Sequence, residues 1–144
     1  MNTKHISRML QLPELEIKSI ETSEQEKRIK IKGALRIKKA LCPSCQQLCS
    51  GVNKSLLRTV RDLSVWGLDC YLEFTVRELR CSQCDITFMQ PVSFVEPYSD
   101  CTKRYEEHIV NLSKSQSISR VSELEAIGYK AVEGILYRTL EKKL

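Results

Sequence analysis

Two cysteine pairs, Cys42-Pro43-Ser44-Cys45 and Cys81-Ser82-Gln83-Cys84, constrain this chain more than any other feature. A Cys-x-x-Cys segment folds readily into a knuckle with both sulfurs aimed at one ion. Two knuckles supply the four thiolates of a closed, tetrahedral structural zinc site. The 35 residues between Cys45 and Cys81 are too many for a compact finger, so they need structure of their own. A strand, a turn and a returning strand would fill that length. The competing readings are chance pairing and a redox dithiol. A thioredoxin-like dithiol opens a helix within a βαβ unit, and neither pair is followed by a helical pattern. The expectation is one structural Zn²⁺ held by Cys42, Cys45, Cys81 and Cys84.

Seven cysteines in 144 residues is an odd number. Met1-Asn2-Thr3-Lys4-His5 lacks the apolar core of a secretory signal. The cysteines therefore read as metal ligands plus free thiols, and the expected compartment is the reducing cytoplasm. Aromatic residues make up only 6% of the chain, so a metal that helps to staple a modest core is in keeping. The sequence has no long apolar run and no membrane span is expected. The formal charge is +5, and its excess lies in residues 1–40, which hold ten Lys and Arg against five Asp and Glu. That asymmetry suits a polyanionic partner.

Residues 1–12 show no clear period and read as an arm. Leu15, Ile17 and Ile20 suggest a first strand, and the polar run 21–26 a turn. From there Ile29, Ile31, Leu35 and Ile37 alternate with Arg28, Lys30, Lys32, Arg36 and Lys38. Period two means a strand with one buried face and one face of five cations. Lysines guarding an edge strand against aggregation are one reading. A phosphate-binding face is the other, and it weighs about equally because a guard needs one or two lysines, not five charges of one sign. Leu56–Leu63 is a short strand candidate, and Val65-Trp66-Gly67 a turn in which Trp66 packs under the ribbon or stacks on a base. Leu68, Cys70, Leu72, Phe74 and Val76 mark a second long strand running to Arg80, and Phe88 and Val92 a last short one. Lys38, Lys39 and Arg80 flank the knuckles, where they offset the site's negative charge.

Near Ser99 the period changes to 3.6. Tyr105, Ile109 and Leu112 form one helical stripe, with Ser99 or Asp100 as its cap. Ile118, Val121, Leu124 and Ile127 form a second, stopped by Gly128. Val132, Ile135, Leu136 and Leu140 form a third. Three short helices with a tight turn at Gly128 are a helix-turn-helix candidate, although Leu124 and Gly134 depart from that motif's usual residue types. A helical bundle that binds protein is the alternative. The fold class expected is therefore α+β: an enlarged β-rich zinc ribbon over 1–98 and a three-helix helix-turn-helix bundle over 99–144.

Cys-Pro-x-Cys, Arg58-Thr59-Val60-Arg61-Asp62-Leu63, Gly67, a hydrophobic strand and Arg80-Cys81-x-x-Cys84 with Phe88 follow one another in an order that resembles the N-terminal part of ISL-three-group insertion-sequence transposases. The resemblance covers roughly residues 35–140. It implies a zinc-binding domain followed by a helix-turn-helix, recognition of the element's terminal repeats, and Cys42, Cys45, Cys81 and Cys84 as zinc ligands. In that family a catalytic domain with acidic residues for two metal ions follows. The chain ends at Leu144, and the expectation is a DNA-binding protein with no strand-transfer activity of its own. It would act beside a separate catalytic subunit or as a homodimer.

On that reading double-stranded DNA meets the third helix through Lys130, Glu133, Tyr137 and Arg138, and the cationic strand through Arg28, Lys30, Lys32, Arg36 and Lys38. Two other classes compete. A zinc-ribbon adaptor or transcriptional regulator would bind protein through an apolar surface. A thiol enzyme or redox sensor would use Cys49, Cys70 or Cys101, but no base is spaced beside any of them. Cys70 has the parity of a buried hydrophobe, Cys101 precedes a helix that can lower its pKa, and Cys49 is a spare ligand candidate. His5 and His108 read as surface or boundary residues.

Overall fold

In the computed structural model the backbone of residues 3–143 and the side chains of residues 5–143 are described. One helix and then seven strands occupy the first ninety residues. They are α1 (Thr3–Leu10), β1 (Leu15–Ser23), β2 (Arg28–Leu35), β3 (Ala40–Leu41), β4 (Leu48–Cys49), β5 (Gly51–Val65), β6 (Leu68–Cys81) and β7 (Ile86–Met89). Three helices follow: α2 (Lys103–Ser113), α3 (Ile118–Glu125) and α4 (Tyr129–Lys143). The fold is mixed, a β-rich part with a zinc ribbon followed by helices, as the change of period near Ser99 requires.

The main sheet runs in the order β1-β2-β6-β5, with β7 beside the far end of β6, and β3 and β4 form a separate two-stranded ladder. Pairing is antiparallel except between β2 and β6, which run parallel with Ile31 opposite Leu72. Both strands therefore carry the chain in the same direction, towards the cysteine pairs.

The period-two pattern decides the faces. Ile29, Ile31 and Leu35 of β2, and Cys70, Leu72, Phe74 and Val76 of β6, are buried together with Leu15, Ile17, Val60, Phe94 and Val95 in the main core. Phe74 meets Phe94 edge to face at 5.4 Å between centroids. Burial on β6 then changes parity, since Leu79 and Cys81 belong to a second small core with Ala40, Cys42 and Cys49. A third core joins the helices through Tyr105, Ile109, Val121, Val132 and Ile135.

Several boundaries differ from the sequence reading. Part of the expected arm, Thr3–Leu10, is helical; Met1 and Asn2 lie outside the described residues. β2 ends at Leu35, opposite the first residue of β1; just beyond it the Arg36 N–H donates to Glu14 O at 2.9 Å and its Nε to Pro13 O at 2.9 Å. Arg36 and Lys38 therefore lie beyond the strand, and Ile37 is exposed. The expected short strand at 56–63 is the middle of the fifteen-residue β5. β7 stops at Met89, so Val92 is not on it. Thr102, and neither Ser99 nor Asp100, caps α2, its side chain accepting from the Tyr105 amide. Ala126, in the left-handed region at φ 52°, ends α3 two residues before Gly128. Trp66 packs under nothing: it is 81% exposed.

Candidate metal centre and nucleic-acid interface

The parallel β2 and β6 bring the cysteine pairs together. The first knuckle turns between β3 and β4, where Gln46 N–H donates to Cys42 O, and the second between β6 and β7, where Asp85 N–H donates to Cys81 O, both at 2.9 Å. Each turn places a left-handed residue, Gln46 or Asp85, just after its second cysteine. The Sγ atoms of Cys42, Cys45, Cys81 and Cys84 all lie within 4.8 Å of one another. Cys42 and Cys84 are 4.0 Å apart and Cys45 and Cys81 3.5 Å. A tetrahedron with Zn–S bonds of about 2.3 Å has S–S edges of about 3.8 Å, so the sulfurs present fit one zinc ion. The Ser44 and Cys84 amides donate to Cys42 Sγ and Cys81 Sγ, each at 3.4 Å. The Cys84 amide, foremost, pulls the Cys81 thiol down to about 6, towards the thiolate that a zinc site uses. The arrangement is compatible with one structural zinc. When bound, the ion supplies cross-linking of two knuckles.

The remaining cysteines stand apart. Cys49 is buried beside the cluster but donates to Gln47 O at 3.3 Å, and its sulfur is not one of the four that converge. Cys70 is fully buried, and burial pushes its thiol up to about 12. Cys101 is not activated by the helix it precedes: burial first, then Glu106 and Asp100, raise it to about 11. Arg80 pairs with Asp85 across the second knuckle, and Lys38 and Lys39 are exposed beside the first.

The cationic face of β2 is not a bare stripe. Lys30 lies 3.8 Å from Glu73. Lys32 lies 2.9 Å from Glu21 and 3.8 Å from Glu73, and the first contact raises the Lys32 pKa and lowers that of Glu21. Arg28 stacks over Tyr71 at 5.1 Å and sits 3.8 Å from Glu26. All are partly solvated, so such pairs contribute little to stability and leave the cations able to exchange partners.

On α4, Lys130, Glu133 and Tyr137 are exposed along one stripe, opposite the buried Val132 and Ile135. Arg138 departs from that face. Its guanidinium is paired with Glu106 of α2 and its Nε is buried, so it holds helix to helix instead of facing outward.

The Arg-Thr-Val-Arg-Asp-Leu run has a role that periodicity did not reveal. It docks the helices on the edge of β5. The Arg61 N–H donates to Asp100 O at 2.8 Å, and Arg61 O accepts from the Thr102 N–H at 2.9 Å, so residues 100–102 cover that edge. Arg61, only 4% exposed, reaches Asp69 at 3.0 Å and Glu125 of α3 at 3.6 Å. Its guanidinium lies between the rings of Tyr71 and Tyr105, 5.5 and 4.9 Å from their centroids. Asp62, 1% exposed, accepts from Thr102 Oγ1 and Arg104 Nε, each at 2.8 Å. Arg104 Nη1 in turn donates to Leu10 O at 2.6 Å, and Arg58 Nη2 to Ser99 O at 2.5 Å. The one available signal was adjacency of Arg61 and Asp62 in a strand otherwise expected to alternate.

A four-cysteine ribbon followed by a three-helix unit with an open outer face defines the class of zinc-ribbon proteins with a helix-turn-helix candidate. Family models agree and specify it. Residues 38–84 match the zinc-finger of transposase IS204/IS1001/IS1096/IS1165, and residues 90–140 the helix-turn-helix domain of transposase family ISL3. The chain carries both of these ISL3-family transposase domains. No curated protein and no solved structure matches it. Among the described residues no helix is long and apolar enough to cross a membrane.

Proposed function

We propose that the chain recognises the terminal repeats of an insertion sequence as a zinc-dependent, double-stranded-DNA-binding protein, without strand-transfer activity of its own. The observation that carries this is the outward stripe of Lys130, Glu133 and Tyr137 on the last helix of a unit that matches the family's helix-turn-helix domain. That helix enters the major groove, while Arg28, Lys30 and Lys32 of β2, with Arg36 and Lys38 beyond it, hold phosphates. Arg138 acts from behind, by keeping α4 against α2. Cys42, Cys45, Cys81 and Cys84 ligate the zinc, in a ribbon domain over 1–98 that precedes a helical domain over 99–144. The carboxylates at the junction of sheet and helices support a non-catalytic role, because the buried Asp62 and Glu106 and the partly buried Glu125 each face an arginine or a histidine. Strand transfer then falls to a separate catalytic subunit or to an assembly that includes a homodimer, in the cytoplasm.

The test is selection of DNA by the zinc-loaded protein at two salt concentrations. Recovery of one motif resembling a mobile-element end supports the proposal. Binding of unselected DNA that vanishes at high salt leaves only a basic surface. Incubation of the selected duplex with Mg²⁺ or Mn²⁺ should yield no nicked strand, and nicking overturns the non-catalytic part. A protein-adaptor reading draws on Val52, Leu56, Leu57, Ile86 and Met89, exposed apolar residues near the ribbon end. It predicts binding that salt barely changes.

A further inference from the structure

The β5–β6 hairpin tip is unfavourable in two respects for a surface turn. Trp66 and Gly67 both have positive φ, 49° and 78°. Such a two-residue turn favours Asn-Gly, and a bulky residue there strains the backbone. The indole then gains nothing from the fold, since it is 81% exposed. A residue that costs stability in its backbone and buries little with its side chain is best explained by something outside the chain.

Its surroundings point to what that is. The parallel pairing of β2 with β6 sets the β1–β2 turn beside this tip, with the Asp69 N–H donating to Lys27 O at 2.8 Å. Lys27 is exposed and also left-handed, at φ 54°. Its neighbour Arg28 has Glu26 at 3.8 Å, whereas Lys27 makes no ion pair among the described residues. Arg61 Nη2 then ties the tip to the helices, touching Asp69, two residues past Gly67, and Glu125, the last residue of α3. Leu63 packs into the helical core. Arg61 thus links the strand after the tip to the end of α3, and the turn that follows leads to the exposed Tyr129 and Lys130 of α4.

We propose that Trp66 and Lys27 form a wing that contacts duplex DNA beside the groove entered by α4. The indole packs on the sugars and minor-groove edge, and Lys27 binds a phosphate. This rests on the DNA-binding role of α4 and extends its footprint to the β-rich part of the chain.

Trp66 is the chain's single tryptophan, so its emission reports on the tip alone. The zinc-loaded protein is titrated with the duplex recovered by the selection above, or with the random pool if no motif enriches. Indole emission and electrophoretic affinity are read together. The wing predicts that emission changes in step with binding. It also predicts that Trp66→Asn lowers affinity by roughly ten-fold, the scale of one lost contact of about 1.4 kcal/mol, while raising the unfolding midpoint, because Asn suits the turn. Lys27→Gln should reduce the salt slope by about one phosphate contact. Binding with unchanged emission and an unchanged Trp66→Asn affinity overturns the wing and leaves α4 as the reader. Loss of affinity only in proportion to lost stability overturns it as well. No binding of either duplex overturns both readings.

Discussion

Asp62 shows how much one side chain can decide. It is buried at the junction of sheet and helices and balances Arg104 while accepting from the Thr102 hydroxyl that caps α2. Asp62→Ala leaves that guanidinium without its carboxylate and should cost about 3 kcal/mol of unfolding free energy in urea titration. Asp62→Asn, which keeps one acceptor, should cost less. The buried thiols give a prediction in the opposite pH direction from acid denaturation. Cys70 is held at about 12 and Cys101 at about 11, against an ordinary value of 9.0. The folded state thus keeps protons that the unfolded state releases above pH 9. Stability is full below that pH and is lost as pH rises towards 11 and 12. Urea midpoints at stepped pH should show the decline, and Cys101→Ser should make it shallower.

Individual elements depend on single backbone positions. A Cβ at Gly33 would lie 2.7 Å from Glu16 O and 2.9 Å from Leu15 Cγ, against backbone of the partner strand beside the Ile17–Ser19 register shift. Gly33→Ala should therefore destabilise by about 1–3 kcal/mol, as overpacking does. Ala126 presents the opposite case. Its Cβ is carried at φ 52°, so Ala126→Gly should stabilise by roughly 0.5–1 kcal/mol, measured by thermal unfolding. These elements also show what the sequence made legible. Strict alternation over Ile29–Leu35 and Leu68–Val76 marked two strands and their buried faces, because a half-buried strand must alternate. Val132 and Ile135 of the third-helix stripe were readable from their helical spacing, whereas Leu140 of the same stripe is exposed. The parallel pairing of β2 with β6 was not, since period two is indifferent to strand direction. The roles of Arg61, Asp62 and Arg138 were hidden too. A charge at an off-stripe position reads as solvent-facing until the neighbouring element is known to cover it.

At the scale of the molecule, two cores share β6, and the third joins the helices to Leu63 of β5. The one at the cysteine end comprises Ala40, Cys42, Cys49, Leu79 and Cys81, of which two are proposed ligands. So small an apolar set cannot hold two knuckles without the ion. Removing zinc with a chelator should therefore strip hydrogen-exchange protection from residues 40–49 and 79–89. The helical core around Tyr105 and Val121 should keep it. Global unfolding on chelation would instead make zinc the keystone of the whole chain. The cysteine spacing announced this site in advance, as metal ligands carry their own geometry in sequence. The docking of the helices onto β5 depends on contacts 40 residues apart, such as Thr102 to Asp62, and no local pattern encodes those.

The parallel alignment of β2 with β6 has a consequence for how the chain is made. Ile29 and Ile31 leave the ribosome with β1 as their hairpin partner, but their other neighbours, Cys70 and Leu72, emerge only after some forty more residues have been synthesised. During that interval one edge of the nascent hairpin is open to pairing with any other chain. Contacts of such sequence separation also close slowly. Lys30 and Lys32 border that open edge, and their charge discourages a wrong partner until β6 arrives. The same lysines can thus protect the newborn chain and, under the proposed function, face DNA in the finished protein.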